Sequence, residues 1–229
     1  MSALAGLRLL QLASQALPVG GYSHSHGLEA AIEARSVEGE ASVAAWLDAV
    51  FTHCMASFEV PYLRALHRAW SDGDWRAVNE RNAEFLASRE TAELRAATVQ
   101  MGCSLRRLLL QLPDVPAALA EPLTRLREPC LPCVWTGAAV AWEIGVADAL
   151  RGYLWSWAEN QVLVAVKTLP MGQSAGQRVL FAAAAKIAEL VDAIPADDTQ
   201  PLAALSNFAP ALSIASARHE TQYSRLFRS

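Results

Sequence analysis

The apolar residues of this chain recur at helical spacing. Two segments show this most clearly, residues 41–57 and residues 88–112. In both, the hydrophobic positions follow the i, i+3, i+4 pattern that places them on one face of a helix. Ser88 stands where the second helix should begin, so we expect it to be the N-cap. The strict alternation of apolar and polar residues that would indicate strands is not found in the sequence.

The same periodicity predicts a long helix that is hydrophobic nearly all round. It spans residues 148–169, with Asp148 as its expected N-cap. Such a helix is either central in a bundle or buried in a subunit interface. Pro61 is expected to kink or restart the helix in which it stands. Further helices are predicted at residues 7–14, 25–34, 62–70, 74–86, 135–147 and 173–194.

These elements together predict an all-α fold. We expect a single-domain helical bundle of about eight to ten helices over residues 1–200. An extended C-terminal tail, residues 201–229, should follow it. The composition supports this expectation, because the chain is 53% hydrophobic and alanine and leucine, both good helix formers, dominate. A chain of 229 residues is long enough to bury a large core.

The charge pattern limits the possible functions. A net charge of −4 gives no basic field that would attract nucleic acid or anionic lipid. Glu143, Asp148, Arg151 and Glu159 interrupt the longest apolar stretches, so no membrane-spanning helix is predicted. The first residues are interpreted as a helix and not as a signal peptide. The four cysteines are typical of a reducing compartment, and we expect a cytoplasmic protein.

Two short motifs resemble sites of known chemistry but lack essential parts. Cys130 and Cys133 form a C-x-x-C pair, yet neither a second ligand pair nor a βαβ setting accompanies it. The glycine-rich segment 172–178 has three residues between its glycines and lacks the lysine of a P-loop. We therefore expect no nucleotide binding by this chain.

The segment LPVGGYSHSHGLE holds two histidines, His24 and His26, with Glu29 close behind them. On a helix, residues i and i+2 point about 200° apart, so the two rings could not share a metal ion. An extended segment would allow it, but no third ligand is evident and two ligands do not close a site. We predict no metal site and no cofactor.

Polar residues in the apolar helix require hydrogen-bonding partners, because burying them alone is costly. An inter-subunit hydrogen-bond network is the favoured explanation, and a catalytic pocket built on Glu159 and Lys167 is the alternative. The predicted network comprises Glu159, Asn160, Lys167, Gln173 and Gln177.

Four stretches, spread in order over almost the whole chain, resemble the UreF family of urease accessory proteins. They are LLQLASQALPVGGYSHSHGLE, SRETAELRAATVQMGCSLRRLL, ENQVLVAVKTLPMGQSAGQR and SARHETQYSRLFRS. The resemblance implies an all-helical homodimer without catalytic activity. It would bridge a UreD (UreH) partner and the GTPase UreG on apo-urease, where nickel is delivered. Two readings stay open beside it, an all-α enzyme and a generic helical adaptor without a metal connection.

The resemblance also assigns roles to individual residues. Arg151 and Trp155 align with a dimer contact of the family, and Tyr22 is the expected contact residue of the LPVGGYSHSHGLE corner. The tail of residues 216–229 combines aromatic and arginine side chains, which dominate binding hot spots. We expect it to be mobile or loosely docked until UreD binds, with Arg225 reaching towards Tyr22. Its predicted partner-binding residues are Arg218, His219, Glu220, Tyr223, Arg225, Leu226 and Phe227.

Overall fold

The computed structural model describes residues 1–113, 115–194 and 205–228, and all regular structure in these ranges is helical. The expected all-α, single-domain fold is confirmed. The α-helices in chain order are α1 Ala3–Ala13, α2 Leu28–Glu33, α3 Glu40–Val50, α4 Val60–Ser71, α5 Trp75–Ala87, α6 Ala92–Gln111, α7 Ala117–Arg125, α8 Leu131–Ala141, α9 Val146–Thr168, α10 Gln173–Asp192 and α11 Pro210–His219.

A π-helix joins α3 to α4 without a break in the chain direction. It runs over Phe51–Glu59, and Pro61 stands in the first turn of α4 that follows. Proline has no N–H to donate to the preceding turn, so the wider π-helical turn lets the helix restart without a sharp break. The expectation of a restart at Pro61 is therefore met. Phe58 and Glu59 on this π-helix point into the core.

Neither of the two predicted N-caps, Ser88 and Asp148, caps its helix in the structure. Thr91, and not Ser88, caps α6, because its hydroxyl accepts the hydrogen bond from the Leu94 N–H. Ser88 is instead the C-cap of α5. Helix α9 begins at Val146, so Asp148 lies in its first turn. A carboxylate at this position interacts favourably with the helix dipole. Ser and Thr are both competent caps, so the sequence alone did not distinguish Ser88 from Thr91, and the N-cap of α9 is Gly145.

Helix α9 is the central helix of the bundle, as its apolar surface predicted. It packs against α10, α1, α2 and α4, and Leu154, Ala158 and Val164 on it are fully buried. Glycines let other elements approach closely. A Cβ atom at Gly102 of α6 would lie 2.1 Å from the carbonyl oxygen of Pro129, the chain that leads into α8. No helix of the described residues is long and apolar enough to cross a membrane.

The chain end is not simply extended. Helix α11 packs against α2 and α6, and its residues Ala215, Ser216 and His219 are buried. Sequence analysis missed this helix, and it also missed α7 between Pro116 and Leu126. The predicted division of the chain at residue 200 falls outside the described residues and stays a prediction.

Candidate functional site

The segment LPVGGYSHSHGLE folds into a tight corner before α2. Gly20 and Gly27 both have positive φ, of 77° and 82°, and His26 between them has φ 50°. Glycine adopts this left-handed region without strain. Gly27 also lies against α11, because a Cβ atom there would be 3.0 Å from the Ser216 N. Gly27 thus both allows the turn of the chain and contacts the C-terminal helix α11.

Glu29, in the first turn of α2, binds three groups near the C-terminal end of the chain. Its carboxylate accepts a hydrogen bond from His219 Nε2 at 2.9 Å. It also accepts the backbone N–H groups of Leu226 at 2.7 Å and Phe227 at 3.1 Å. Glu29 is almost fully buried. One carboxylate therefore satisfies three donors, and charge-assisted bonds of this kind are stronger than neutral ones.

The other ring nitrogen of His219 completes a cluster that we call the tail clasp: Glu29, Glu93, His219 and Arg225. His219 Nδ1 lies 2.8 Å from Glu93 Oε2, and Arg225 Nη1 donates to Glu93 Oε1 at 3.1 Å. Both ring nitrogens of His219 therefore lie within hydrogen-bond distance of a carboxyl oxygen. Burial raises the pKa of Glu93, and the charges of His219 and Arg225 oppose that rise.

The tail of this structure is docked, contrary to the expectation of a mobile or loosely docked segment. Phe227 is buried and its ring lies 5.8 Å from Lys167 Nζ. The Arg228 N–H donates to the Ser23 carbonyl at 2.7 Å, which brings the chain end beside Tyr22. Arg225 bonds Glu93 and the His219 carbonyl oxygen, in place of the expected approach to Tyr22.

The predicted partner-binding residues divide into two groups. His219 and Phe227 are buried and hold the tail against the body. Tyr22, Tyr223 and Leu226 are exposed apolar side chains, with Tyr223 fully exposed. We call these three the tail surface. Arg218, Glu220 and Arg225, the remaining predicted residues, are exposed at or just after the end of α11. The roles of all of them in partner binding stay predictions.

Several polar residues of α9 find partners inside this chain. Asn160 Nδ2 donates to the His24 carbonyl oxygen at 2.7 Å, and Gln161 Nε2 donates to the Ser25 carbonyl at 3.1 Å. The histidine corner is thereby fixed to α9. Part of the predicted network is thus intramolecular. Its other members lie at the surface, with Glu159 half-buried and Lys167, Gln173 and Gln177 exposed.

The alternative of a buried pocket built on Glu159 and Lys167 does not fit this placement, because Lys167 is exposed to solvent. Arg151 and Trp155 also lie on α9, both half-buried. Arg151 pairs within the chain with Asp148 at 2.9 Å and with Asp192 at 2.6 Å. This pairing holds α9 to α10 and leaves the predicted dimer contact untested.

Sequence analysis missed a second buried charge cluster, at the centre of the bundle. Glu59 of the π-helix pairs with Arg89 at 2.9 Å and accepts a hydrogen bond from the Tyr153 hydroxyl at 2.9 Å. Burial raises the pKa of Tyr153 well above its usual value. The residues border a cavity of about 120 Å³. In the sequence, only Glu59 gives a sign of this cluster, because it is a glutamate between apolar residues.

Burial explains the state of both the cysteine pair and the histidine pair. Cys130 and Cys133 are fully buried. Burial raises the pKa of the Cys130 thiol to about 12, so the thiol stays protonated and unreactive. Burial likewise lowers the pKa of His24 to about 4 and that of His26 to about 3. Both imidazoles are therefore neutral near pH 7.

Replacing His26 with asparagine, which tolerates a positive φ, is expected to make the protein less sensitive to acid. The pKa of His26 is about 3 in the folded state, against 6.5 for an ordinary histidine side chain. The unfolded chain therefore binds more protons between these values, and stability is lost as the pH falls from 6.5 towards 3. The loss is at most about 1.4 kcal/mol per pH unit.

Urea unfolding at pH 7 and pH 5 measures this difference for wild type and His26→Asn. His53→Asn is the matched control, because His53 is an exposed histidine. An unchanged pH dependence in His26→Asn would contradict the prediction.

Comparison with known proteins places the chain in a family. The UreF family model matches residues 37–184. The chain is 52% identical over 223 residues to the urease accessory protein UreF of Dechloromonas aromatica, covering 97% of this chain and 96% of the relative. It is 53% identical over 226 residues to that of Azoarcus sp. (strain BH72), covering 97% and 95%.

The tail belongs to this similarity as well. The UreF protein of Janthinobacterium sp. (strain Marseille) is 44% identical over 232 residues that cover 100% of both chains, so residues of the tail clasp at both ends of the sequence lie inside the alignment. The chain therefore belongs to the UreF family of urease accessory proteins.

Proposed function

We propose that this chain is a non-catalytic chaperone of urease maturation, acting in the cytoplasm as a homodimer. It bridges a UreD (UreH)-type protein and the UreG-type GTPase on apo-urease and controls GTPase-coupled nickel delivery, with nickel as the cargo. The relatives are urease accessory proteins, which supports the maturation role. Membership of the family supports the choice of partners.

The observation that carries the proposal is the arrangement of the docked tail. The tail clasp fixes the backbone of Leu226 and Phe227, and the side chains of Tyr223 and Leu226 project outwards. A preorganised segment loses less conformational entropy on binding than a free one. Tyrosine and arginine are the residue types enriched in binding hot spots, and the exposed Leu226 side chain adds apolar area beside them. The UreD-type protein is the partner we assign to it.

The homodimer is proposed to form through the outer face of α9. Trp155 and Arg151 are half-buried there, and aromatic and arginine residues are enriched in interfaces. Leu4, Leu7 and Leu10 of α1, which packs on α9, are exposed as well and extend the apolar surface. Exposed apolar surface of this kind is typical of protein–protein interfaces, where a partner shields it from water.

The proposal is tested by capture of the UreD-type partner from the same urease operon. We expect Tyr223→Ala with Leu226→Ala to weaken capture at least tenfold, because each truncation removes an exposed apolar contact of hot-spot type. Both side chains are exposed, so the unfolding transition should stay within ~0.5 kcal/mol of wild type.

Phe181→Ala on α10 is the matched control, because Phe181 is also a highly exposed aromatic residue. It should leave capture unchanged. Full affinity of the double variant would refute the tail surface as the binding site. If wild type itself captures no urease component and urease activation proceeds without it, the generic adaptor is the correct reading.

A further inference from the structure

The cavity beside the Glu59–Arg89 pair shares one lining residue, Tyr22, with the tail surface. It lies between the histidine corner, the π-helix Phe51–Glu59, α6 and α9, and its volume is about 120 Å³. A space that holds one water needs only about 10–15 Å³ on this measure, so the cavity has room for a small molecule. Met55, Met101 and Trp135 provide apolar wall, and His26, Glu59 and Asn160 provide polar wall.

Two buried polar atoms of this wall have no hydrogen-bond partner among the described residues. They are Asn160 Oδ1 and His26 Nδ1. Asn160 is only 5% exposed, and its Nδ2 is already used by the His24 carbonyl. The amide orientation is thereby fixed, and Oδ1 is the atom left without a donor. A buried acceptor without a donor costs about 1–3 kcal/mol. A guest with an N–H or O–H group would remove this cost.

The charges around the cavity favour a neutral guest. The carboxylate of Glu59 is neutralised by Arg89 at 2.9 Å. Burial, with the charges of nearby groups, lowers the pKa of His26 to about 3, so the imidazole is uncharged. Burial raises the pKa of the Cys54 thiol to about 12, so this wall group is uncharged too. An ion beside Asn160 and His26 would lose its hydration without gaining an unpaired counter-charge there. A further carboxylate of the lining, Glu90, is exposed and accepts a hydrogen bond from the Ser213 hydroxyl.

We propose that this cavity binds a small neutral molecule of the primary-amide class. Its N–H donates to Asn160 Oδ1, its second polar group bonds His26 Nδ1, and its carbon atoms lie against Met55 and Met101. An amide carries both a donor and an acceptor, so it satisfies His26 Nδ1 whichever ring tautomer is present. The site shares Tyr22 with the tail surface but uses Asn160 and His26 for recognition, so it survives if the proposed partner binding fails.

The probe is acetamide, and acetone is its matched control. The two molecules have the same number of heavy atoms and the same planar shape, but acetone has a methyl group where acetamide has its N–H donors. Titration of the full-length protein followed by amide NMR shifts should give a dissociation constant for acetamide in the millimolar range, as for other tiny ligands. Acetone should bind at least tenfold more weakly.

Two variants locate the site. Asn160→Leu removes the orphaned acceptor at similar volume and should abolish the preference for acetamide. Leu94→Trp enlarges a half-buried side chain of the cavity wall and should prevent binding of both probes, with Asn160 left intact. If Asn160→Leu does not fold, Leu94→Trp together with the acetamide-to-acetone ratio still tests the proposal.

Equal binding of acetamide and acetone would overturn the proposal, because the N–H donor would then be irrelevant. A cavity that holds water only, with no shift at millimolar acetamide, would overturn it as well. Acetamide shifts that persist unchanged in Leu94→Trp would place the amide elsewhere and have the same consequence.

Discussion

Glu29→Gln is expected to lower the free energy of unfolding by about 3 kcal/mol. The native carboxylate accepts three donors, from His219 Nε2 and from the backbone of Leu226 and Phe227. A glutamine of the same shape loses the charge and turns an N–H₂ group towards one of these donors. The buried imidazole of His219 would then keep Glu93 as its one carboxylate partner. Thermal and urea unfolding monitored by circular dichroism measure the loss.

Glu33→Gln is the control for this change. Glu33 lies on the same helix α2 but is exposed, so its replacement should shift the free energy of unfolding by less than ~0.5 kcal/mol. Equal stability of Glu29→Gln and Glu33→Gln would show that the tail clasp does not stabilise the fold. Glu29→Gln should also weaken capture of the UreD-type partner, because the tail surface is no longer held in place.

Deletion of residues 218–229 is expected to abolish partner capture and urease activation. The deletion removes Tyr223 and Leu226 of the tail surface. It also removes His219 and Arg225, two of the four residues of the tail clasp. The helical core should remain folded, because the fully buried residues of α4, α6, α8 and α9 all lie upstream. Its stability should nevertheless fall, since Glu29 and Glu93 lose their buried partners.

Pull-down and urease activity measure the first effect, and circular dichroism measures the second. Sedimentation supplies a further control, because the proposed dimer face with Arg151 and Trp155 lies on α9 and is not part of the tail. The truncated chain should therefore still sediment as a dimer. Formation of the ternary complex at wild-type affinity would disprove the role of the tail.

The amino-acid pattern alone determined the helical class and the position of the long core helices. Helices α6, α9 and α10 were predicted within a few residues, because their apolar stripes are long and regular. The short helices α7 and α11 escaped prediction. Helix α7 contains Pro122, and α11 buries only small or polar residues, Ala215, Ser216 and His219. Helices this short and weakly patterned depend on packing for their stability.

The site was decided by the tertiary structure. The sequence singled out His24, His26, Glu29 and the tail, but no local pattern pairs Glu29 with a histidine 190 residues away. Likewise, nothing near Glu59 indicates that Arg89 and Tyr153 meet it around a cavity. Periodicity reports which face of a helix is buried, because that depends on neighbours in the chain. Which buried polar groups meet depends on how the helices are arranged, and only the folded chain brings those partners together.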